Sequence, residues 1–469
     1  MILLGVVFVF ILGYLVVLLV EQETRFLERI FLAFPIGMGL FTFLMFLINL
    51  TGVSLEAENL ILTFFVTFSL LGLLIRVKRI KIIPGELQRP TSKTISFIKK
   101  FKINFFSLMI LFGIFAIVVR SLILNLVWPP ETWDTISLYD FRALRFFETK
   151  SLASVILTTG SREEISYNYS YPFLTSLSHS FVYIFDYNNP RFLYTFFYIS
   201  LVGSFFYILR RKIGAGPALL FSGFLAADPE YVYHSTVEYT NLPYAVYFGL
   251  GALLAIYGIT ARKKGYLMLS AICIGLSTWT RSQEPFWIVP ALLVMGSFFL
   301  RKKFASITPY LYVVIILFFR QSWLSYVGSI SRGMNWPDMN LVQTSFSIDI
   351  KKIALSILYA FKNTLWRRKA SFFILLLSLV HVFSEKRVTK YLNELILLGL
   401  CLSIIFVGTY FFSVNFRWWD QIGDSVTRMS MFLLPLFYYF SAMALFDRKN
   451  GMVYQWFLMK GKDKRWKEK

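Results

Sequence analysis

The amino-acid sequence predicts an all-α integral membrane protein, a polytopic bundle of about 13 transmembrane helices with helices on the extracytoplasmic surface. Two observations lead to this fold class. Of the 469 residues, 57% are hydrophobic and 19% are aromatic, which is more apolar surface than a water-soluble protein of this size can bury. Many apolar runs also approach the roughly 20 residues that an α-helix needs to cross a bilayer.

The first apolar run, Met1 to Val20, has no basic leader and no small-residue cleavage site. We therefore expect a retained span and not a signal peptide. The two cysteines, Cys273 and Cys401, lie in apolar runs and indicate no disulfide framework. The predicted spans are at about 1–20, 30–50, 60–75, 105–127, 191–209, 213–229, 242–261, 266–280, 285–300, 304–323, 370–384, 391–412 and 429–446.

The basic residues are distributed in a way that predicts the topology. The net charge is +22, and 31 of the 48 Lys and Arg residues fall in seven segments: 21–29, 76–104, 210–212, 262–264, 301–303, 385–390 and 447–469. By the positive-inside tendency these segments are cytoplasmic, which puts the N-terminus and Trp128 outside. The charge thus indicates a lipid bilayer as partner and no nucleic acid, with anionic headgroups near residues 76–102 and 460–469.

Three further segments are predicted to be helices that do not cross the bilayer. Residues 134–148 form an amphipathic surface helix if they are helical; an interfacial loop with a solvated acid is the alternative. Residues 353–366 form a second surface helix. Residues 171–185 form a juxtamembrane or partly inserted helix, since counting them as a span would invert every later loop. On the first helix the predicted apolar face comprises Ile136, Tyr139, Ala143, Phe146 and Phe147.

Polar residues form four groups on the predicted outer face, at or near the ends of spans. Charges at such positions are costly unless they are paired or used. Salt bridges and interfacial anchoring are the structural alternatives for each. The groups are Glu131 with Asp134; residues 228–243, which include Glu238 and Asn241; residues 280–285, which include Arg281 and Glu284; and Asp424 with Arg428.

The stretch from Trp128 to Pro172 resembles the first extracytoplasmic loop of the GT-C membrane glycosyltransferases, which include protein O-mannosyltransferases and lipid A aminoarabinose transferases. In that family an acidic residue after a span precedes a surface helix and a Tyr-Pro-Pro-Leu-like segment. The matching residues here are Asp134, Tyr139, Ala143 and Tyr171-Pro172-Phe173-Leu174. The family's adjacent acidic pair is absent, because Trp133 precedes Asp134 and Thr135 follows it.

Three later span ends resemble GT-C positions and occur in the family's order. They are Asn241-Leu242-Pro243, Thr280-Arg281-Ser282-Gln283-Glu284, and Arg428 with Pro435. The resemblance covers about residues 105–446. It implies a GT-C-like catalytic membrane domain at 105–446, an N-terminal three-span extension with a basic cytoplasmic loop at 1–104, and a basic cytoplasmic tail at 447–469.

The resemblance implies transfer of a sugar from a polyprenyl-phosphate-linked donor to an acceptor hydroxyl, at the outer face of a bacterial or archaeal membrane. A carboxylate can deprotonate the acceptor, and arginines can bind the departing phosphate. Asp134 is the expected general base, with Glu131 as a second candidate. The expected phosphate ligands are Arg281, Arg367, Arg368 and Arg428, with Arg367 and Arg368 exposed at the interface. The expected substrate-binding residues are Tyr139, Arg142, Glu238, Asn241, Glu284 and Asp424.

Other functions stay open at this point. A transporter or flippase of lipid-linked saccharide is the main alternative, and an O-antigen polymerase or ligase is a third. Transporters tend to carry internal repeats and helix breaks near the bilayer midplane, whereas here the polar residues cluster at one surface. No metal cofactor is expected, because His179, His234 and His381 show no ligand spacing. His234 with Glu230 and Glu238 would be the best metal site.

Overall fold

The computed structural model describes residues 1–80, 105–153, 171–303, 305–333, 348–415, 419–421 and 423–447. The described part consists of helices that are joined by short turns. Its α-helices in chain order are α1 Ile2–Val20, α2 Phe26–Leu50, α3 Ala57–Val77, α4 Phe105–Val127, α5 Asp140–Thr149, α6 Leu174–Ile184, α7 Phe192–Ile213, α8 Ala215–Ala226, α9 Pro229–His234, α10 Asn241–Ala261, α11 Lys264–Thr280, α12 Ile288–Leu300, α13 Thr308–Gly333, α14 Ile350–Thr364, α15 Lys369–Ser384, α16 Leu392–Asn415, α17 Gly423–Ser430 and α18 Leu434–Phe446.

Several of these helices are long and apolar enough to cross a membrane, so the chain is a multi-pass integral membrane protein. Within the described residues nine helical segments meet this criterion: Ile2–Val20, Phe26–Leu50, Ala57–Val77, Phe105–Val127, Phe192–Ile213, Asn241–Ala261, Thr308–Ile330, Val388–Asn415 and Ser425–Phe446. Helices α8, α11, α12 and α15, also expected as spans, have only 12 to 17 residues. The count of thirteen therefore stays a prediction.

Helix α4 shows why a bilayer is the natural surrounding of this bundle. Its two buried side chains are the polar Ser121 and Asn125, while its large apolar side chains face outward. Asn125 donates to the carbonyl of Ser235 at 2.7 Å and to Thr195 Oγ1 at 2.8 Å. A helix that is apolar outside and polar inside reverses the pattern of a water-soluble protein, and it is stable when lipid contacts its outer face.

The first helices pack into the same hydrophobic core as the rest of the bundle. Helices α1 and α2 approach closely at two glycines. A Cβ atom on Gly13 would lie 1.8 Å from the carbonyl oxygen of Ala33, and one on Gly37 would lie 2.0 Å from that of Val9. Such small-residue contacts let helix backbones meet in a membrane. The division at residue 104 is not tested by this packing and stays a prediction.

Contacts between the connecting segments define two ends of the bundle. At one end, here called the Asp134 end, the start of α7 contacts the segment after α4: Arg191 Nη1 donates to the carbonyl of Pro129 at 2.5 Å. The other end, called the Arg211 end, lies at the opposite terminus of α7. There Arg211 pairs with Glu28 of α2. The two ends of the bundle are thus defined by the opposite termini of α7.

The three predicted non-spanning helices are present with shifted bounds. Residues 353–366 correspond to α14, Ile350–Thr364, and residues 171–185 to α6, Leu174–Ile184. Because α6 has 11 residues, it is about 17 Å long and too short to cross a bilayer. Every residue of α6 except Ile184 is buried, so it is inserted into the bundle and does not lie on its surface.

The segment predicted as a helix from 134 to 148 begins with a π-helical turn, Thr135–Tyr139, and continues as α5. Tyr139, Ala143 and Phe146 are buried as expected, but Ile136 and Phe147 are 55% and 42% exposed. Arg142 is buried instead. The buried residues 139, 142, 143 and 146 follow the helical spacing i, i+3, i+4 and i+7. The buried face is therefore centred on Arg142 and Ala143, and Ile136 and Phe147 lie at its edge.

Candidate functional site

Five of the predicted site residues come together at the Asp134 end. A cavity of about 90 Å³ lies between the segment before α5, the start of α10, the end of α11 and α17. Its volume corresponds to about three water molecules at about 30 Å³ each, which suits a phosphate-sized group. It is lined by Asp134, Tyr139, Tyr171, Tyr239, Thr240, Asn241, Arg281, Ser425, Arg428 and Met429.

Asp134 and Arg428 face each other across this cavity. Arg428 Nη1 lies 3.6 Å from Asp134 Oδ2, and the two side chains are 24% and 37% exposed. At this distance the opposite charges attract each other, but the two atoms are too far apart for a hydrogen bond. The Asp134 carboxylate also does not cap the π turn that it precedes. Arg428 lies over the ring of Tyr239, with 5.8 Å between the guanidinium carbon and the ring centroid.

Arg281 makes two short hydrogen bonds beside the cavity. Its Nη1 donates to Asn241 Oδ1 and its Nε to Glu284 Oε1, both at 2.6 Å. The guanidinium carbon lies 5.0 Å from the ring centroid of Tyr171. Burial alone would lower the pKa of Arg281, but the charge and hydrogen bond of Glu284, together with Tyr171 and Tyr139, raise it above its ordinary value. Arg281 therefore stays charged, and Glu284 binds Arg281 instead of facing the cavity.

The π turn brings Asp134 and Tyr139 to the same cavity. In an α-helix two residues five positions apart point about 140° away from each other. Across the π turn the chain closes an i→i+5 hydrogen bond, in which the amide of Asp140 donates to the carbonyl of Thr135. Tyr139 is buried, and its hydroxyl lies 3.2 Å from Thr240 Oγ1. A π turn of this kind is frequent at functional sites.

An apolar groove of about 810 Å³ adjoins the polar cavity. Side chains of α12 and α16 form its walls, among them Ile288, Leu292, Ile404 and Phe412. The groove and the cavity have four lining residues in common: Tyr171, Arg281, Ser425 and Met429. The arrangement can receive an amphiphile, with an anionic head beside the arginines and an apolar tail in the groove.

Three predicted site residues do not line the cavity. Glu238 is fully buried and pairs with Arg191 at 2.6 Å, although burial outweighs Arg191 and keeps the pKa of Glu238 above its ordinary value. Arg142 is buried and donates to Ser176 Oγ at 3.0 Å and to the carbonyl of Tyr171 at 2.9 Å. Glu131 is 57% exposed, and its carboxylate lies 3.6 Å from Arg191.

The expectation that both Arg367 and Arg368 are exposed is wrong for Arg368. Arg367 is exposed and donates to Thr427 Oγ1 at 3.3 Å. Arg368 is buried, donates to Ser430 Oγ, and has its Nε 3.4 Å from Asp228 Oδ2. Residues 366–368 form a 3₁₀ turn, in which neighbouring residues point about 120° apart, so one faces outward and the other faces the bundle. Asp424 belongs to α17, and its side chain lies outside the described residues.

His234 is a residue that the sequence analysis did not assign to the site. It is fully buried at the end of α9, and neither ring nitrogen has a hydrogen-bond partner among the described residues. Burial lowers its pKa to about 3, with further lowering by the charges of Arg428, Arg281 and Arg368. The positive charges of those three arginines thus all act on His234. Its spacing from charged residues in the sequence gives no sign of this convergence.

Metal-ligating side chains are not gathered in the described part of the chain. No group of three or more His, Cys, Asp or Glu side chains there could hold a metal ion. The best candidate from the sequence, His234 with Glu230 and Glu238, is not such a group, because Glu238 faces Arg191. The expectation that the protein uses no metal cofactor stays a prediction.

Comparison with known proteins identifies no relative. No protein-family model matches the chain, and no curated protein or solved structure shows significant similarity to it.

Proposed function

We propose that this protein transfers a sugar from a polyprenyl-phosphate-linked donor to an acceptor hydroxyl, with Asp134 as the general base. The observation that carries the proposal is the junction of the cavity with the apolar groove, which share Tyr171 and Arg281. A lipid-linked phosphate needs both compartments, because its head is anionic and its tail is apolar. A soluble sugar nucleotide would have no use for the groove.

The reaction uses few groups. Asp134 takes the proton of the acceptor hydroxyl, and the oxygen attacks the anomeric carbon of the donor sugar. The bond from that carbon to the phosphate oxygen breaks, and polyprenyl phosphate leaves with the electron pair. Arg428 and Arg281 stabilise the negative charge on the phosphate through charge-assisted hydrogen bonds. The 3.6 Å between Asp134 and Arg428 supports this assignment, since base and leaving group must lie within one sugar of each other.

The proposed membrane arrangement has thirteen spans and puts the Asp134 end outside. The contacts at both termini of the shorter helices support it. Helix α11, for example, begins beside the Lys263–Glu23 ion pair of the Arg211 end and finishes at Arg281. The basic segments 21–29, 210–212, 262–264 and 301–303 are connections at the Arg211 end, which favours that end as cytoplasmic. On this basis we propose that the protein is a GT-C-type enzyme.

Glycan analysis of a strain that lacks the gene tests the function. The strain should lose one glycan or glycolipid modification, and the wild-type gene should restore it. Asp134→Asn keeps the size of the side chain but cannot accept the proton, so we expect restoration to slow by roughly a hundredfold to ten-thousandfold at equal protein abundance. Glu131→Gln, three residues earlier, is the control and should have a milder effect.

Two outcomes would contradict the proposal. In the first, the glycans of the deletion strain are unchanged. In the second, Asp134→Asn restores the modification at the wild-type rate. If the purified protein in liposomes instead moves lipid-linked saccharide across the bilayer, the transporter alternative replaces the enzyme.

A further inference from the structure

The inference concerns what holds the π turn beside the cavity. A π turn carries one residue more than the α-helix that could replace it, so neighbouring contacts must stabilise it. At the start of the turn, the Thr135 hydroxyl lies 3.2 Å from Glu238 Oε2 and 2.7 Å from Thr132 Oγ1. After the turn, Asp140 Oδ1 lies 3.2 Å from His179 Nδ1 and accepts a hydrogen bond from the Tyr183 hydroxyl. The start of the turn is thereby attached to the connection between α9 and α10, and its end to α6.

His179 extends this attachment into the core of the bundle. The ring is buried in α6, and its Nε2 lies 3.0 Å from the hydroxyl of Tyr194 in α7. Burial alone would raise the pKa of Asp140, but the hydrogen bond and charge of His179, with the Tyr183 hydroxyl, lower it below its ordinary value. A partly buried, ionised carboxylate with two donors is a stiff attachment point.

We infer that Asp140, His179 and Tyr194 are positioning residues, which hold the π turn so that Asp134 faces the arginines of the cavity. This inference rests on the proposed function. None of the three lines the cavity, so they act through Asp134 and Tyr139. Arg281 lies at the end of α11 and Arg428 lies in α17. Both are outside the line of hydrogen bonds that joins Asp140, His179 and Tyr194. Loosening the line should therefore slow transfer and leave binding of the phosphate unchanged.

His179→Phe removes both hydrogen bonds at similar volume. We expect the maximal transfer rate in membranes of the complemented strain to fall about tenfold to a hundredfold, as displacements near 1 Å can cause. The dissociation constant of farnesyl phosphate for the purified variant should change less than about twofold. A purely structural role would weaken both quantities and lower the amount of folded protein.

Tyr194→Phe is the milder variant if His179→Phe fails to fold, and Tyr198→Phe is its matched control. Tyr198 lies four residues later in α7, is equally buried, and donates one hydrogen bond to the carbonyl of Ala226 at 2.7 Å. The two tyrosine variants should lose similar thermal stability, but Tyr194→Phe alone should slow transfer, by about threefold or more. Equal rates in the two variants would overturn the inference.

A double variant separates this inference from the proposed function. Because the line acts through Asp134, His179→Phe should slow transfer much less in the Asp134→Asn background than in the wild type. Additive effects would contradict the positioning role and leave the function standing. If the proposed function were wrong, a different measurement would reveal it. Substitution of Arg281 or Arg428 would then leave the binding of farnesyl phosphate unchanged.

Discussion

The two ends of the bundle carry similar residue types in different arrangements. At the Arg211 end, fully buried Glu28 pairs directly with Arg211, whose guanidinium carbon lies 5.3 Å and 5.0 Å from the ring centroids of Tyr257 and Tyr266. At the Asp134 end, Asp134 and Arg428 are 3.6 Å apart and partly exposed, with a cavity between them. The first pair is closed and the second is open.

The difference separates a structural ion pair from a candidate site. A buried pair in direct contact leaves no room for a ligand, and removing one partner strands the other charge in a low-dielectric interior. An open pair beside a cavity loses little when one partner is changed, and it can bind an anion. Position at the end of a span does not distinguish the two arrangements, because both pairs lie at span ends.

The largest expected effect concerns the closed pair. Glu28→Gln should lower the free energy of unfolding by about 3–5 kcal/mol, because Arg211 then stays buried without its partner. Asp134→Asn, the matched change at the other end, should lower it by less than about 1 kcal/mol. Titration with a denaturing detergent measures both. Equal losses would remove the distinction between the two ends.

The next effect concerns the anion that the open pair binds. Arg428→Gln should weaken binding of farnesyl phosphate about tenfold to a hundredfold, because a charge-assisted hydrogen bond to the phosphate is lost. Binding of farnesol should not change. Arg145→Gln is the control, since Arg145 is exposed on α5 and pairs with Glu148 at 3.1 Å. The phosphate site would be misplaced if both arginine variants bound farnesyl phosphate equally well.

The smallest effect sharpens the comparison through pH. The pKa of His234 is about 3 in the folded protein, below the ordinary value of about 6.5. As the pH falls below about 6.5, the unfolded chain binds the proton first, so His234 makes the folded state less stable. Between pH 6.5 and 5.5 this contribution should be about 1 kcal/mol. In His234→Phe the loss of unfolding free energy over this interval should be smaller by that amount, and an unchanged pH dependence would contradict the burial of a neutral ring.

The helical bundle and part of the candidate site could be predicted from the sequence. Apolar run lengths determine the helices, and charge distribution groups Asp134, Asn241, Arg281 and Arg428 at one end of them. The cavity contains all four. This part is predictable because residues at the same ends of packed antiparallel helices must lie at the same level.

The rest depends on local geometry that no spacing reveals. The residues Thr135–Tyr139 carry no signal for an extra residue in the turn, and this turn decides that Tyr139 faces the cavity. Arg367 and Arg368 are adjacent and chemically identical, yet only Arg368 meets Asp228. The pairing of Asp140 with His179 joins residues that are 39 positions apart. Such contacts are fixed by tertiary packing.

The most direct test of the open pair is the affinity of Asp134→Asn for farnesyl phosphate. If phosphate binds beside Arg428, removing the negative charge of Asp134 reduces the repulsion between the carboxylate and the phosphate. The variant should then bind farnesyl phosphate about threefold to tenfold more tightly than the wild type, bind farnesol equally, and lose transfer. Weaker or unchanged affinity for farnesyl phosphate would contradict the account, because the carboxylate and the phosphate would not share the cavity.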